Sequence, residues 1–521
     1  MSIDDSRFPD ISLKKDTDSS PSVRAFGRRF YRDQTPLEYL AEFLLCFSST
    51  KTTDVGKGDS GFPHLESLPK VPMEYHPESR LALKLFAFFP SSKLETRHPT
   101  HVDRFKQLIG DITNSVEADS SEDAKHAVQT LQKLFAGFVG VSGDRTWATH
   151  SFVPASSYLL SREIDWRHSE ALKKGVSEWR DTKKYFSTGS NNFMARGGEV
   201  LFLQLWHVLR MKDDGEINEW LKVQYRHLDW SRAKEALPFG LKNLVHAINS
   251  PLEKLGSIVE SAAKYEPAIH EDKKPKVFGW VYRSSWPEAT LFAWEIANVV
   301  SSSQDSLRKI RILQDLCCVH VLRSMCFQAN RLVKDMDEEF GELGFEGGYA
   351  WIAGGPSSGS GTDLGKASNE SVRAVEDLLF KALRSDSLPL LKTGEKPKDG
   401  VNGADQHGYK LFRGLAKQIG LVVPQNGPMR FTLSSALAEM AVAALIAPGE
   451  RIPFDEFLRR LYFHFGIAVG NEQIEAALAS LNLGIRLAPQ NDCAAWLEDE
   501  LKRGGLLIAL SDATPLVENP A

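Results

Sequence analysis

Cysteine is scarce in this chain of 521 residues, which has five cysteines and none of the regular spacing of a disulfide framework. Such usage is typical of a reducing compartment. No apolar run reaches the roughly 18 residues of a membrane-spanning helix, and the most apolar one, residues 201–209, ends at Arg210. Residues 1–29 mix acids, bases and serines without the apolar stretch of a secretory signal. We therefore expect a cytoplasmic protein with no membrane partner.

An excess of basic charge is also lacking, since the formal net charge is -5 and the pI is about 6.3. The chain as a whole is therefore not attracted to nucleic acid, and any contact with DNA would need a local basic patch. Hydrophobic residues make up 42% and charged residues 25% of the chain, which is ordinary for a globular protein. The length suits roughly two to four domains.

Signatures of catalysis are missing as well. The string GDSGFP at 58–63 contains Ser60, but a chymotrypsin-like protease needs a histidine earlier in the chain, and the first histidine is His64. The string GGPSSGSGTD at 354–363 lacks the lysine and the Ser/Thr of a phosphate-binding loop. An HExxH zinc motif is absent. The sequence predicts neither a catalytic residue nor a cofactor.

One group of possible metal ligands fails on geometry. Cys317, Cys318, His320 and Cys326 lie within one helical stretch. Because Cys317 and Cys326 are nine residues apart, they point about 180° away from each other on a helix and cannot close one tetrahedral site. We interpret them as buried apolar side chains. The carboxylate-plus-lysine string at 271–273 lacks the preceding strand of a nuclease site, so no metal site is predicted.

Helical periodicity, by contrast, is abundant. Thr35 is a predicted N-cap, Pro36 takes the first helical position, and Glu38 completes a capping box ahead of an apolar stripe. Further patterns predict helices at 240–263, 287–300 and 304–340, among others. We predict a mainly α fold with a disordered polar tail at 1–25 and a helical region of one or two domains at 26–345.

The composition changes after this region. Residues 346–405 hold two loose stretches rich in Gly, Ser and Lys around one helix, and we interpret them as linkers. Residues 406–521 begin with a helix, a hairpin turning at 426–427 and a second helix. This order is typical of the wing end of a winged-helix fold. A later strand, two helices and a strand would form a second unit, so we predict a separable winged-helix-like module, single or in tandem.

A basic face marks the start of this module. Residues 406–438 contain no Asp or Glu. Lys410, Arg413 and Lys417 are spaced i, i+3 and i+7 and so share one helical face, while Arg430 follows across the hairpin. If all four cations met DNA phosphates, the affinity should fall with salt at a log-log slope of about -3.6. A solvated basic face on a protein-binding module explains the pattern equally well.

The last predicted helix of the module is acidic. Glu498, Asp499 and Glu500 lie where a second winged-helix unit would place its DNA-reading helix. DNA phosphates would be repelled there, which favours docking of this unit to protein.

A weaker candidate is the start of the apolar helix after residue 196. Free backbone amides at Gly197 and Gly198, next to Arg196, could hold a phosphate or a carboxylate. The alternative, which we favour, is a glycine turn that lets a buried helix pack closely.

Two stretches carry a resemblance to known proteins. RRFYRDQTPLEYLAEFLLCF (28–47) and RFTLSSALAEMAVAALIAPGERIPFDEFLRRLYFHFGIAVG (430–470) resemble uncharacterised proteins of bacterial phage-defence islands, of the methylation-associated type. These stretches are packing patterns and carry over no catalytic residue. The resemblance implies a bacterial cytoplasmic protein that works beside a DNA methyltransferase, an ATPase and other defence-system subunits.

Three hypotheses follow. The first is a non-enzymatic, DNA-associated component of an anti-phage defence complex that contacts DNA through the basic face. The second is a protein-protein adaptor without DNA contact. The third is a divergent nuclease whose site the sequence does not reveal.

Overall fold

The structure is a computed structural model of the chain. It describes residues 7–9, 20–28, 30, 35–53, 56–58, 60–63, 73–76, 98–136, 164–166, 168–188, 197–211, 214–262, 276–333, 345, 347–355, 361–386, 388, 401–424, 428–485, 492–510 and 514–520.

Helices dominate the described residues, so the prediction of a mainly α fold is confirmed. The helices are α1 Pro21–Phe26, α2 Pro36–Ser48, α3 Pro99–Ser115, α4 Ser121–Ala136, α5 His168–Lys173, α6 Gly197–Leu209, α7 Gly215–Gln224, α8 Trp230–Ala262, α9 Trp286–Ser301, α10 Ser306–Val333, α11 Asp363–Ala382, α12 Val401–Gln406, α13 Tyr409–Gln418, α14 Ser435–Leu445, α15 Phe454–Phe465, α16 Asn471–Ser480 and α17 Ala495–Arg503. Short 3-10 helices span Trp179–Tyr185 and Arg283–Ser285.

The strands are short. They are β1 Arg7–Phe8, β2 Thr50–Thr53, β3 Gly56–Gly58, β4 Glu74–His76, β5 Ile164–Trp166, β6 Phe186–Thr188, β7 Lys276–Val277, β8 Val281–Tyr282, β9 Trp351–Ile352, β10 Val422–Val423, β11 Arg430–Phe431, β12 Arg451–Pro453, β13 Ile467–Ala468, β14 Leu507–Ile508 and β15 Leu516–Glu518.

The strands pair mainly as antiparallel ribbons. One four-stranded sheet has the order β3-β2-β4-β7, and a three-stranded antiparallel sheet near the C-terminus has the order β12-β15-β14. The pairs β1-β8, β5-β6 and β10-β11 are antiparallel, while β9 and β13 run parallel.

The helix α2 forms where the capping signals predict it. The backbone N–H of Thr35 donates to Glu38 Oε2 at 2.7 Å, and Pro36 occupies the first turn. This reciprocal cap satisfies a donor that the first turn leaves open. Both faces of α2 are buried, against α6 and α10.

The centre of the fold is the helix α10. It packs against α2, α6 and α9, which precede it in the chain, and against α11, α13 and α14, which follow it. One cluster of buried hydrophobic residues extends from Phe8 to Val517. The helical region and the C-terminal segment therefore share a core, because apolar faces from both bury against the same long helix.

Parts of the expected N-terminal tail are built into this core. The strand β1 pairs with β8, and Phe8 packs on the rings of Trp206 and His207 at centroid distances of 4.8 Å. The helix α1 buries Val23 and Phe26. The tail is therefore ordered at 7–9 and 20–28, because isolated apolar residues find partners far away in the chain; the rest of the predicted tail lies outside the described residues.

The start of the expected linker is also part of the core. Residues 349–353, YAWIA, are buried, and β9 pairs with β13 more than a hundred residues later. The hydroxyl of Tyr349 donates to the carbonyl of Phe465 at 3.0 Å. The segment 347–355 is therefore not a flexible linker, because a short apolar run between glycines is sufficient to form one strand of a buried pair.

None of the helices in the described part of the chain is long and apolar enough to cross a membrane.

Candidate functional site

The glycines at the start of α6 serve close packing. A Cβ at Gly197 would lie 2.5 Å from the ring of Tyr39, and one at Gly198 would lie 2.5 Å from the backbone N of Phe43. Only glycine lets α6 approach α2 this closely. The observation favours the packing alternative over the anion site; Arg196 lies outside the described residues.

The amide next to these glycines is already engaged. The backbone N–H of Glu199 donates to Glu42 Oε2 at 3.2 Å. The side chain of Glu199 in turn accepts hydrogen bonds from Arg28 at 2.7 Å and from the backbone of Gly279 at 2.5 Å. A carboxylate of the protein itself, that of Glu42, therefore already accepts from one of the amides at the start of this helix.

The basic face lies on α13 and β11. Lys410, Arg413 and Lys417 are all on α13, and Arg430 is on β11; the four residues are half-buried. Arg413 donates to both carboxylate oxygens of Glu376, at 2.7 and 2.8 Å. This hydrogen bonding raises the pKa of Arg413 above its ordinary value. One of the four cations is thus neutralised by a carboxylate of α11, which weakens the face as a phosphate-binding strip.

A buried polar network joins the helical region to the C-terminal segment. Glu295 on α9 and Arg323 on α10 are fully buried and pair through two hydrogen bonds of 2.8 Å each. Arg323 also donates to the carbonyl of His464 on α15 at 2.8 Å. Burial by itself would raise the pKa of Glu295, but Arg323 and His464 hold it below its ordinary value. The pair is ionised and compensated.

The histidines of the network are neutral, and their tautomers follow from their partners. Because a carboxylate only accepts hydrogen bonds, His464 Nδ1 donates to Glu295 Oε1 at 2.9 Å. His464 Nε2 then accepts from His227 Nε2 at 3.0 Å. His320 Nδ1 accepts from Arg323 at 3.0 Å, so His320 Nε2 donates to Gln204 at 3.1 Å.

The environment of these histidines disfavours their protonation. Burial lowers the pKa of His227, His320 and His464. The ring of His320 stacks on Phe292 at 3.9 Å. A cavity beside the network, lined in part by Gln204 and Ser324, has a volume of about 30 Å³ and has room for no more than a water molecule. Among the described residues, the network therefore serves as a structural link between the helical region and the C-terminal segment.

A lysine is buried in the aromatic part of the core. Lys51 on β2 is fully buried, donates to the carbonyl of Phe47 at 2.7 Å and lies 4.9 Å above the ring of Phe202. Burial lowers its pKa to about 7. The amine is therefore sealed within the fold.

All five cysteines are free and buried, which includes the three that were predicted to be buried, Cys317, Cys318 and Cys326. Burial raises the pKa of Cys317, Cys318 and Cys326. Within the described ranges, no three His, Cys, Asp or Glu side chains are arranged to hold a metal ion.

An open concavity lies in the C-terminal segment, and we call it the acidic cleft. It has a volume of about 790 Å³ and lies between α15, α16, α17 and residues 514–515. Its floor is apolar and includes Phe454, Leu458, Tyr462 and Phe463 from α15.

Among the described residues, five carboxylates and one guanidinium line this cleft, so its carboxylates exceed its cations by four. They are Asp455, Glu456, Glu472, Asp492 and Glu498, with Arg459 as the cation. Glu456 accepts from Arg459 at 2.7 and 2.9 Å and from Arg460 at 2.8 Å. Asp455, Glu472 and Glu498 have no hydrogen-bonding or ionic side-chain partner among the described residues.

Four carboxylates of the cleft come from three helices and Asp492 precedes α17, so no local pattern in the sequence joins them. Only Glu498 was noted in the sequence, as part of an acidic helix. The buried network was missed as well, although a Glu within the apolar run of α9 and an Arg within that of α10 are its signal, since buried charges need partners.

Comparison of the chain with family models, with curated proteins and with solved structures gives no match in any of the three.

Proposed function

We propose that the protein is a non-enzymatic adaptor whose C-terminal segment binds a partner protein. The observation that carries the proposal is the acidic cleft, an open concavity with an apolar floor and uncompensated carboxylates. Apolar area with a polar rim is the usual composition of a protein-binding surface. The core that this segment shares with the helical region supports a rigid platform.

The C-terminal segment has the order of a winged-helix unit. From α14 to β15 the chain runs helix, strand, helix, helix, strand, strand, with α16 and the short β13 inserted before α17, and the first strand lies beside the last. The helices α14, α15 and α17 would be the three helices of the unit, and α17 would take the DNA-reading position. This interpretation shifts the wing from β10-β11 to β14-β15.

The charge on α17 favours protein over DNA as the partner. Glu498 faces the acidic cleft, Asp499 is exposed, and Glu500 forms an ion pair with Arg503 at 3.3 Å. DNA phosphates would be repelled by this helix, since non-specific DNA binding depends on cations that neutralise phosphates. An adaptor also agrees with the resemblance to phage-defence proteins, which implies work beside other subunits.

DNA contact through α13 is the second candidate. Lys410 is not part of any ion pair among the residues that the structure describes, and its Nζ lies 5.9 Å from the ring of Tyr409. Its position beside Lys417 on one helical face favours a weak, salt-sensitive contact. Arg413 adds little to it, because Glu376 already compensates its charge.

The two candidates can be separated with the full chain. Tagged protein is recovered from its native cells with and without nuclease treatment, and bound proteins are quantified by mass spectrometry. An adaptor retains a stoichiometric partner after nuclease treatment. Loss of every partner on nuclease treatment would contradict the adaptor proposal.

A titration with labelled duplex DNA gives the second comparison. We expect no binding tighter than about 10 µM at physiological salt. Tighter binding that is lost in the K410A/K417A variant, but kept in the K381A/K502A variant, would favour DNA contact. Cleavage of plasmid in the presence of Mg²⁺ or Mn²⁺ would instead support the nuclease hypothesis.

A further inference from the structure

The shape of the acidic cleft suits a short peptide segment. Its volume of about 790 Å³ falls within the range of roughly 300–1,000 Å³ that is typical of ligand clefts. Aromatic side chains of α15, including Tyr462 and Phe463, provide an apolar floor on which a hydrophobic side chain could be anchored.

The negative charge of the cleft favours a positively charged ligand. Asp455, Glu472 and Glu498 come from α15, α16 and α17, so each of the three helices that line the cleft contributes a carboxylate. Arg459 is the one cation in the described part of the wall, and it already donates to both oxygens of Glu456. An incoming cation therefore meets carboxylates that no side chain of the described residues compensates, whereas an anion is repelled.

The helix α15, which forms one wall of the cleft, is fixed by hydrogen bonds on its inner side. On the inner side of α15, Arg460 donates to the carbonyl of Leu445 at 2.9 Å, and His464 donates to Glu295 at 2.9 Å. Because the helix is fixed before a ligand arrives, binding costs little ordering of this wall.

We infer that the acidic cleft binds a lysine- or arginine-rich segment of a partner protein, with an apolar side chain of that segment on the floor of the cleft. This inference rests on the proposed adaptor function and names the chemistry of its partner. Three carboxylates from separate helices match cations spaced along an extended or helical segment, and the floor between them matches the apolar anchor.

The test uses the full chain and a fluorescein-labelled ten-residue peptide of alternating lysine and leucine, with a glutamate-leucine peptide of the same length as the anionic control. Binding is followed by fluorescence anisotropy at low and physiological salt. We expect saturable binding of the basic peptide that weakens with salt, and no binding of the acidic peptide.

Two variants distinguish the effect of the cleft carboxylates on binding from the effect of the net charge of the protein. E472K/E498K reverses two cleft carboxylates, and E475K/D499K makes the same change on the same two helices at exposed residues that do not line the cleft. We expect the first variant to bind the basic peptide at least about tenfold more weakly and the second to stay within about twofold of the unaltered chain. Melting temperatures of both variants verify that they fold.

Equal weakening in both variants, or no binding of the basic peptide to the unaltered chain, would overturn the inference. The adaptor function is judged separately from the partner recovered out of native cells. If E472K/E498K still retains that partner, the cleft is not its docking site, although the protein remains an adaptor. If no nuclease-resistant partner exists, the adaptor function fails whatever the peptide does.

Discussion

The two faces of the helix Phe454–Phe465 treat charge in opposite ways. On the inner face, His464 belongs to a network in which Glu295 and Arg323 compensate each other and every histidine is neutral. On the outer face, Asp455 lines a cleft in which the described carboxylates exceed the described cations by four. Buried charge is retained only when it is paired, because desolvation is costly. Solvated charge can remain unpaired, and so it is available for a partner.

The largest effect is expected from breaking the inner network. Replacing Glu295 with Gln leaves the Arg323 guanidinium buried without a counter-charge, so the free energy of unfolding should fall by about 3–5 kcal/mol. Urea denaturation followed by circular dichroism measures this loss. The surface change E475Q is the control and should cost less than about 0.5 kcal/mol. A loss below about 1 kcal/mol in E295Q would show that the pair does not stabilise the fold.

Acidification should lower the free energy of unfolding through the histidines of the same network. Burial lowers the pKa of His227, His320 and His464, so these groups take up protons near pH 6.5 only in the unfolded chain. Stability is therefore unaffected above that pH and falls as the pH drops below it, by up to about 1.4 kcal/mol per histidine at pH 5.5. Urea denaturation between pH 7.5 and 5.5 measures the slope.

The variant H464N tests the origin of this slope. It should remove the contribution of one histidine, because asparagine does not titrate. A stability that stays constant from pH 7.5 to 5.5 in the unaltered chain would contradict the assignment of neutral, buried histidines.

Two uncharged substitutions, one in the core and one at the surface, also test the contrast between these regions. In Gly198→Ala the new methyl group would lie 2.5 Å from the backbone N of Phe43, and we expect a loss of about 1–3 kcal/mol from overpacking. Gly414→Ala on α13 meets no atom within 4 Å and should stabilise the helix by up to about 1 kcal/mol. Thermal denaturation of both variants measures the difference, and equal melting temperatures would refute the close approach of α2 and α6.

The smallest effect on stability is expected in the cleft. Glu472→Gln and Glu498→Gln should each change the free energy of unfolding by less than about 0.5 kcal/mol, since neither carboxylate has a side-chain partner among the described residues. The same denaturation measurement applies. A loss above about 1 kcal/mol would mean that the carboxylate stabilises the fold and is not available to a ligand.

Local signals predicted helices well where the capping residues and the apolar stripe agreed. The predicted segment 287–300 is observed as Trp286–Ser301, and 304–340 is observed as Ser306–Val333 within the described residues. The segment 240–263 is observed as Trp230–Ala262, with its start ten residues earlier than expected. The helical turns that were not predicted include Pro238, and proline is normally unfavourable in the interior of a helix.

The candidate sites were less predictable, because their partners are far away in the chain. The spacing of Lys410, Arg413 and Lys417 predicted their shared helix correctly. The counter-charge of Arg413 is Glu376, 37 residues earlier, and no local pattern joins the two. The apolar run 349–353 is too short to predict its strand partner.

By itself, the sequence determined the mainly helical fold, the capped start of α2 and the burial of Cys317, Cys318 and Cys326, because periodicity and capping act over a few residues. Only the tertiary structure decided which charges are compensated. The Glu295–Arg323 pair and the carboxylates of the acidic cleft are brought together from separate helices, since Coulomb and desolvation energies depend on distance in space and on exposure to solvent, and neither is encoded by neighbours in the chain.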